Sequence, residues 1–165
     1  MVATHALKQT PLTRNTSTGQ AAQGKKSIEA QIDAYTKRIN EGYLHKGIAG
    51  YTQLLQAPAP KREKALKDLE CILKGLTALE KKKLPYPYNI VVDLKKASAL
   101  ALAAGIHDTF PEPKAQATAI QKAKTALVIF NQYSEYVSTQ ANYLGIIQNI
   151  LEPILQKDER RKSGV

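Results

Sequence analysis

Few residues of this chain have the types and spacing that catalysis or metal binding requires. The histidines, His5, His45 and His107, stand far apart, and none is followed three or four residues later by a second metal-ligating side chain. That spacing is what places two ligands on one face of a helix. We therefore expect no metal site and no cofactor.

Two further residues could do chemistry. Cys71 is the only cysteine, and no histidine lies at a local spacing that would activate it as a nucleophile, so we expect a small, half-buried thiol beside the buried row of its helix. Asp93 is an acid in an apolar segment, where it is either a functional buried carboxylate or a residue of the first helical turn, favoured by the helix dipole, with Lys96 one turn later. Because a nucleophile with its base and a pair of catalytic carboxylates are both missing, the sequence predicts a non-enzymatic protein.

The elements that carry these residues follow from composition and apolar spacing. With 165 residues, 43% of them apolar and 23% charged, the chain resembles an ordinary one-domain globular protein. Residues 1–26 are polar and basic, and we expect a flexible tail there. No apolar run approaches the roughly 18 residues of a membrane span, and the first ten residues lack the apolar centre of a secretory signal. These features favour a cytoplasmic location.

Apolar residues recur at helical spacing in four segments. The first, 27–55, has Ser27 as its expected cap and three glycines that predict a kink or a break near Gly42. The second begins near Pro60, and the third covers residues 90–105 and is apolar around most of its circumference. The fourth segment follows the turn "HDTFPEPK" and is about 42 residues long. As one helix it would reach roughly 60 Å. The predicted fold is an all-α, elongated bundle of about four helices in residues 27–157, with one long C-terminal helix and a charged, flexible end, 158–165.

The fourth segment lacks the charges of a typical exposed helix. No lysine or arginine occurs between Thr125 and Gln156, and two apolar rows run side by side. Surfaces that contact a partner lose charge and gain tyrosine, so this segment is either an interface or the inside of the bundle. We predict a protein-interaction surface on it, formed by Tyr133, Tyr136, Gln140, Tyr143, Ile147 and Ile150.

The positive charge is concentrated elsewhere. The net charge is +10, and residues 61–83 hold eight of the basic residues. Such a charge distribution favours anionic partners, which are acidic protein surfaces, lipid headgroups or nucleic acid, and composition does not rank the three. The residues predicted to contact an anionic partner are Lys61, Arg62, Lys64, Lys67, Lys81, Lys82 and Lys83.

Two hypotheses for the function follow. The leading one is a scaffold or interaction module, such as an effector or the subunit of an assembly, that docks to another protein or to itself through its C-terminal helix. The alternative is a basic module that holds an anionic membrane surface or nucleic acid. The turn "LPYPYN", residues 84–89, is a plain linker or a short polyproline element that another protein could bind.

Overall fold

The computed structural model of this protein describes residues 27–164, which are all-α. The predicted tail, residues 1–26, lies outside the described residues. Instead of about four helices, eight α-helices follow one another in this part of the chain, and a π-helical turn, Ile147–Leu151, joins the last two. The α-helices are α1 Ile28–Tyr43, α2 Gly47–Leu55, α3 Ala59–Glu80, α4 Tyr88–Asp108, α5 Pro113–Gln132, α6 Ser134–Val137, α7 Ala141–Ile146 and α8 Glu152–Lys162.

Helix α4 is the centre of the fold, as its apolar circumference predicts. Its second half, 97–106, is buried at every position except Leu100, which is half-buried. Helices α3 and α5 pack along it, and α1, α7 and the π-helical turn cover the remaining faces. Many of the buried side chains of α4 are alanines, which allow the neighbouring helices to approach closely.

The first predicted helix is two helices. Ser27 caps α1, as expected, because its hydroxyl accepts a hydrogen bond from the Ala30 amide at 3.2 Å. The chain then breaks after Tyr43 at two extended residues, His45–Lys46, and Gly47 follows with a φ of +65°. A glycine tolerates this left-handed conformation, so Gly47 allows the turn between α1 and α2.

The predicted long C-terminal helix is wrong. Helix α5 ends at Gln132, and the chain turns again at residues 138–140 before α7. At that turn the Ser138 hydroxyl donates to the Glu135 carbonyl and the Thr139 hydroxyl to the Tyr136 carbonyl. Such local bonds offer the backbone an alternative to helix. The segment after the turn therefore returns along α4 and α5, and the fold is a bundle of short and long helices without a projecting 60 Å element.

The predicted flexible C-terminus, 158–165, is helical as far as Lys162. Helix α8 continues to Lys162, and Asp158 is buried against α5. Its carboxylate lies 3.7 Å from the Lys124 ammonium and 3.4 Å from that of Lys162. Lys157 pairs with Asp108 at the end of α4, at 2.8 Å. The pairs with Lys124 and Asp108 join the last helix to α5 and α4, whereas the Asp158–Lys162 pair lies within α8.

Two glycine substitutions test the packing around α4. Gly105 faces Tyr51, which is 1% exposed and whose hydroxyl donates to the Leu102 carbonyl at 2.5 Å. A Cβ at Gly105 would overlap that hydroxyl and would lie 3.2 Å from Ile150. Gly105→Ala should therefore lower the free energy of unfolding by about 1–3 kcal/mol, measured by urea denaturation.

Gly42→Ala is the matched control. A Cβ at Gly42 meets nothing within 4 Å, so alanine there should raise the free energy of unfolding by about 0.4–1 kcal/mol. A Gly105→Ala variant as stable as the unmodified protein would contradict the packing described for α4.

Candidate functional site

The structure divides the six residues predicted as a protein-interaction surface. Tyr133, Tyr136 and Tyr143 line one cleft. Ile150 is 5% exposed in the core, and Gln140 and Ile147 are half-buried and do not line that cleft. The six residues would share one side only on a straight helix, and the turn at residues 138–140 separates them.

The cleft lies between the first turns of α4 and the segment 132–143. Its volume is about 500 Å³, within the range of sites that hold small ligands or short peptide segments. Its apolar wall is formed by Pro87, Ile90, Val91 and Leu94. The opposite wall comes from the charge-poor segment, so an apolar surface faces a tyrosine-rich one. We call this space the tyrosine cleft.

Tyr86 stands at the edge of the tyrosine cleft. Its side chain is 77% exposed, and the residue belongs to the proline-rich turn between α3 and α4. Within residues 27–164 the other exposed large hydrophobic side chain is Val128, which does not line the cleft. Tyr86 was not among the predicted interaction residues, although the "LPYPYN" motif was a signal for it.

Lys95 is the basic residue of the cleft. Its ammonium lies 5.3 Å from the centre of the Tyr143 ring, which itself packs on Phe130 at a centroid distance of 5.6 Å. Burial lowers the pKa of Lys95 and raises the pKa of Tyr143 to about 12. A lysine within an apolar helix was a signal in the sequence, but periodicity alone could not tell whether its side chain reaches a cleft or water.

A polar network holds Tyr133, one of the tyrosines that line the cleft, through residues that do not line it themselves. The Tyr133 hydroxyl donates to Asp93 at 2.6 Å, and Lys96 donates to Glu80 at 2.8 Å. The bond to Asp93 raises the pKa of Tyr133 to about 12, and burial raises the pKa of Asp93. The pKa of Glu80 is lowered, chiefly by its bond to Lys96.

The assignment of Asp93 to the first helical turn is corrected by this network. Helix α4 begins at Tyr88, so Asp93 lies in its second turn and serves as the acceptor for Tyr133. Lys96, which lies one turn after Asp93, donates to Glu80 of α3. The network thus connects α3, α4 and the end of α5.

The predicted anionic-partner residues form a second surface, with one exception. Lys61, Lys64, Lys67, Lys81, Lys82 and Lys83 are exposed. Arg62 is half-buried: its guanidinium donates to the Ala57 carbonyl at 2.9 Å and to the Thr109 hydroxyl at 2.6 Å, and it lies 4.4 Å from the Phe110 ring centre. These contacts tie α3 to the turn after α4, so we assign Arg62 to the fold.

Lys74, which was not among the predicted anionic-partner residues, also lies on this surface. Steps of three and four residues along α3 place it on the same exposed side as the lysines before and after it. Cys71, which we expected to be half-buried, is exposed on this side too. We call the row Lys64, Lys67, Lys74 and Lys81 the lysine face.

The described residues contain no group of three His, Cys, Asp or Glu side chains that could hold a metal ion. His45 is exposed and His107 is half-buried, and burial lowers the pKa of His107. His5 lies outside the described residues. From Ser27 to Gly164, no helix has the length and apolar character needed to cross a membrane.

Comparisons with known proteins identify no relative. No protein-family model matches the chain, and the searches of curated proteins and of solved structures give no match either. Any assignment of function therefore depends on the two surfaces described above.

The pH dependence of stability tests the network behind the cleft. Because the pKa of Asp93 is raised in the folded state, its contribution to stability is present below its unfolded value of 3.8 and is lost as the pH rises through the folded value. Asp93→Asn cannot ionise, and its amide oxygen still accepts from Tyr133. The stability of this variant relative to the unmodified protein should therefore increase as the pH rises from below 3.8 through the raised pKa of Asp93, measured by urea unfolding.

Tyr133→Phe should change the pH dependence of folding stability in the direction opposite to that of Asp93→Asn. Its hydroxyl bond lowers the pKa of Asp93, so removing it should make the loss of stability with rising pH steeper than in the unmodified protein. Parallel pH profiles for all three proteins would contradict the role of Asp93 described here.

Proposed function

We propose that this protein is a non-enzymatic interaction module that binds a segment of another protein in the tyrosine cleft. One observation carries the proposal: Tyr133, Tyr136 and Tyr143, predicted as interface residues from their charge-poor surroundings, line the same cleft as the exposed Tyr86. Tyrosine is enriched at the energetically dominant positions of protein interfaces.

The composition of the cleft favours a protein segment as the ligand. Its walls combine aromatic rings with the aliphatic side chains of Ile90, Val91 and Leu94, which suit the apolar side chains of a peptide. Gln132 and Ser134, both exposed, provide neutral hydrogen-bonding groups beside them. A peptide main chain needs such groups because its own amides and carbonyls must stay hydrogen-bonded.

Selection from a displayed random-peptide library tests this proposal and requires no candidate partner. The folded protein is the target, and the enriched peptides are then tested on the double variant Tyr86→Asp, Ser134→Asp. Both positions line the cleft and are exposed, so the substitutions should leave the fold intact and abolish binding of the enriched peptides. Affinities are then measured by isothermal titration calorimetry.

Val128→Asp is the control, because Val128 is 65% exposed and lies outside the cleft. It should bind the enriched peptides as the unmodified protein does. The proposal is wrong if no peptide family is enriched, or if the enriched peptides bind the double variant equally well.

A second candidate function is supported by the lysine face of α3. Its four lysines span about 26 Å along the helix and have no ion pair within the described residues. A row of unpaired ammonium groups, with only the small side chains of Cys71 and Ala78 between them, fits a flat anionic surface, such as a bilayer containing acidic lipids. Each lysine contributes about 1 kcal/mol to such binding.

Charge reversal tests this second candidate. The triple variant Lys67→Glu, Lys74→Glu, Lys81→Glu should lose binding to vesicles containing phosphatidylserine in a sedimentation assay at low salt. The control Lys37→Glu, Lys46→Glu, Lys114→Glu changes the net charge equally at exposed positions elsewhere, and it should retain most of the binding. Equal loss in both variants would show that net charge alone, without the lysine face, determines binding.

A further inference from the structure

Lys95 is a half-buried cation in a cleft that otherwise attracts apolar groups. Within residues 27–164 no carboxylate lies within ion-pair distance of its ammonium. Its electrostatic neighbours are two tyrosines, Tyr143, whose ring centre lies 5.3 Å away, and Tyr136. A partly desolvated ammonium group gains much from a bound anion, because water no longer stabilises its charge fully. Lys95 therefore lacks a negatively charged partner among the described residues.

The acids near Lys95 do not supply that charge. Asp93, two residues earlier on α4, accepts from Tyr133, and Glu80 is engaged by Lys96. Glu135 lines the cleft, but it is exposed and forms no ion pair with Lys95. The lowered pKa of Lys95 has desolvation as its main cause, in agreement with an ammonium group that no carboxylate neutralises.

We propose that the segment bound in the tyrosine cleft carries a glutamate or aspartate whose side-chain carboxylate pairs with Lys95. This inference rests on the proposed function and names the chemistry of the ligand. The neighbouring side chains of that segment contact the apolar wall of Ile90, Val91 and Leu94. The recognised unit is thus an acidic side chain flanked by apolar ones.

A side chain fits this position better than a chain terminus. Lys95 is more buried than Tyr86, Gln132 and Ser134, which are exposed lining residues. A peptide that lies along these exposed residues keeps its amides and carbonyls near water and reaches Lys95 with a flexible acidic side chain. Insertion of a terminus would instead bury main-chain groups for which the apolar wall offers no hydrogen-bond partner.

The test compares two matched peptides, acetyl-Leu-Glu-Leu-amide and acetyl-Leu-Gln-Leu-amide, which differ in the charge of one side chain. Binding is measured by nuclear magnetic resonance titration of the full chain, with the side-chain signals of Lys95 and the cleft tyrosines as reporters. The glutamate peptide should bind at least about tenfold more tightly than the glutamine peptide. A third peptide, acetyl-Leu-Gln-Leu with a free C-terminal carboxylate, should behave like the neutral one.

Variants of Lys95 separate the charge from the shape of the cleft. Lys95→Met should remove the preference for the glutamate peptide, Lys95→Arg should keep most of it, and Lys74→Met on the distant lysine face should leave it unchanged. If Lys95→Met does not fold, the comparison of the peptides on the unmodified protein still decides the matter.

Three outcomes would overturn the inference. Equal binding of the glutamate and glutamine peptides at the cleft would leave the proposed function standing and refute the role of Lys95. Tighter binding of the peptide with the free terminus would show that the carboxylate comes from a chain end. Absence of binding by all three peptides would count against both the inference and the proposed function.

Discussion

The need to cover α4 on every side determines the rest of this fold. A helix whose residues from Ala97 to Ile106 are almost all buried cannot lie against a single neighbour, because each uncovered apolar side chain would cost hydrophobic free energy. Helices α3 and α5 cover two sides of α4. The remaining surface requires further chain, and the segment after residue 140 provides it by turning back.

The same constraint explains the unusual composition of the C-terminal segment and the position of the cleft. Residues that return across α4 bury one face against it, and their exposed positions, such as Asn142, Gln148 and Asn149, are mostly neutral. Tyr143 and Ile150 enter the core in this way. At the start of α4 the cover is incomplete, and the tyrosine cleft lies there with Lys95 in it. One charge-poor segment thus provides both buried residues of the core and the tyrosines of the proposed binding surface.

Local signals in the sequence predicted much of the fold and less of the site. Ser27 as a cap and α4 as a central helix followed from residue type and periodicity, because both depend on nearby residues. The long C-terminal helix was wrong because regular apolar steps continue across Ser138, Thr139 and Pro153, where side-chain bonds and a missing amide interrupt helical hydrogen bonding. Arg62 and Lys95 were beyond prediction from spacing, because their partners, Thr109 and Tyr143, lie 47 and 48 residues away along the chain.

The return of the C-terminal segment can be measured directly as a distance. Lys124 of α5 and Lys162 of α8 both contact the Asp158 carboxylate, and both are exposed enough to carry spin labels after replacement by cysteine in a Cys71→Ser background. Double electron–electron resonance should then give a separation below about 25 Å, the limit that the label linkers allow. One continuous helix would place the two positions about 57 Å apart, and a distance distribution centred there would contradict this account.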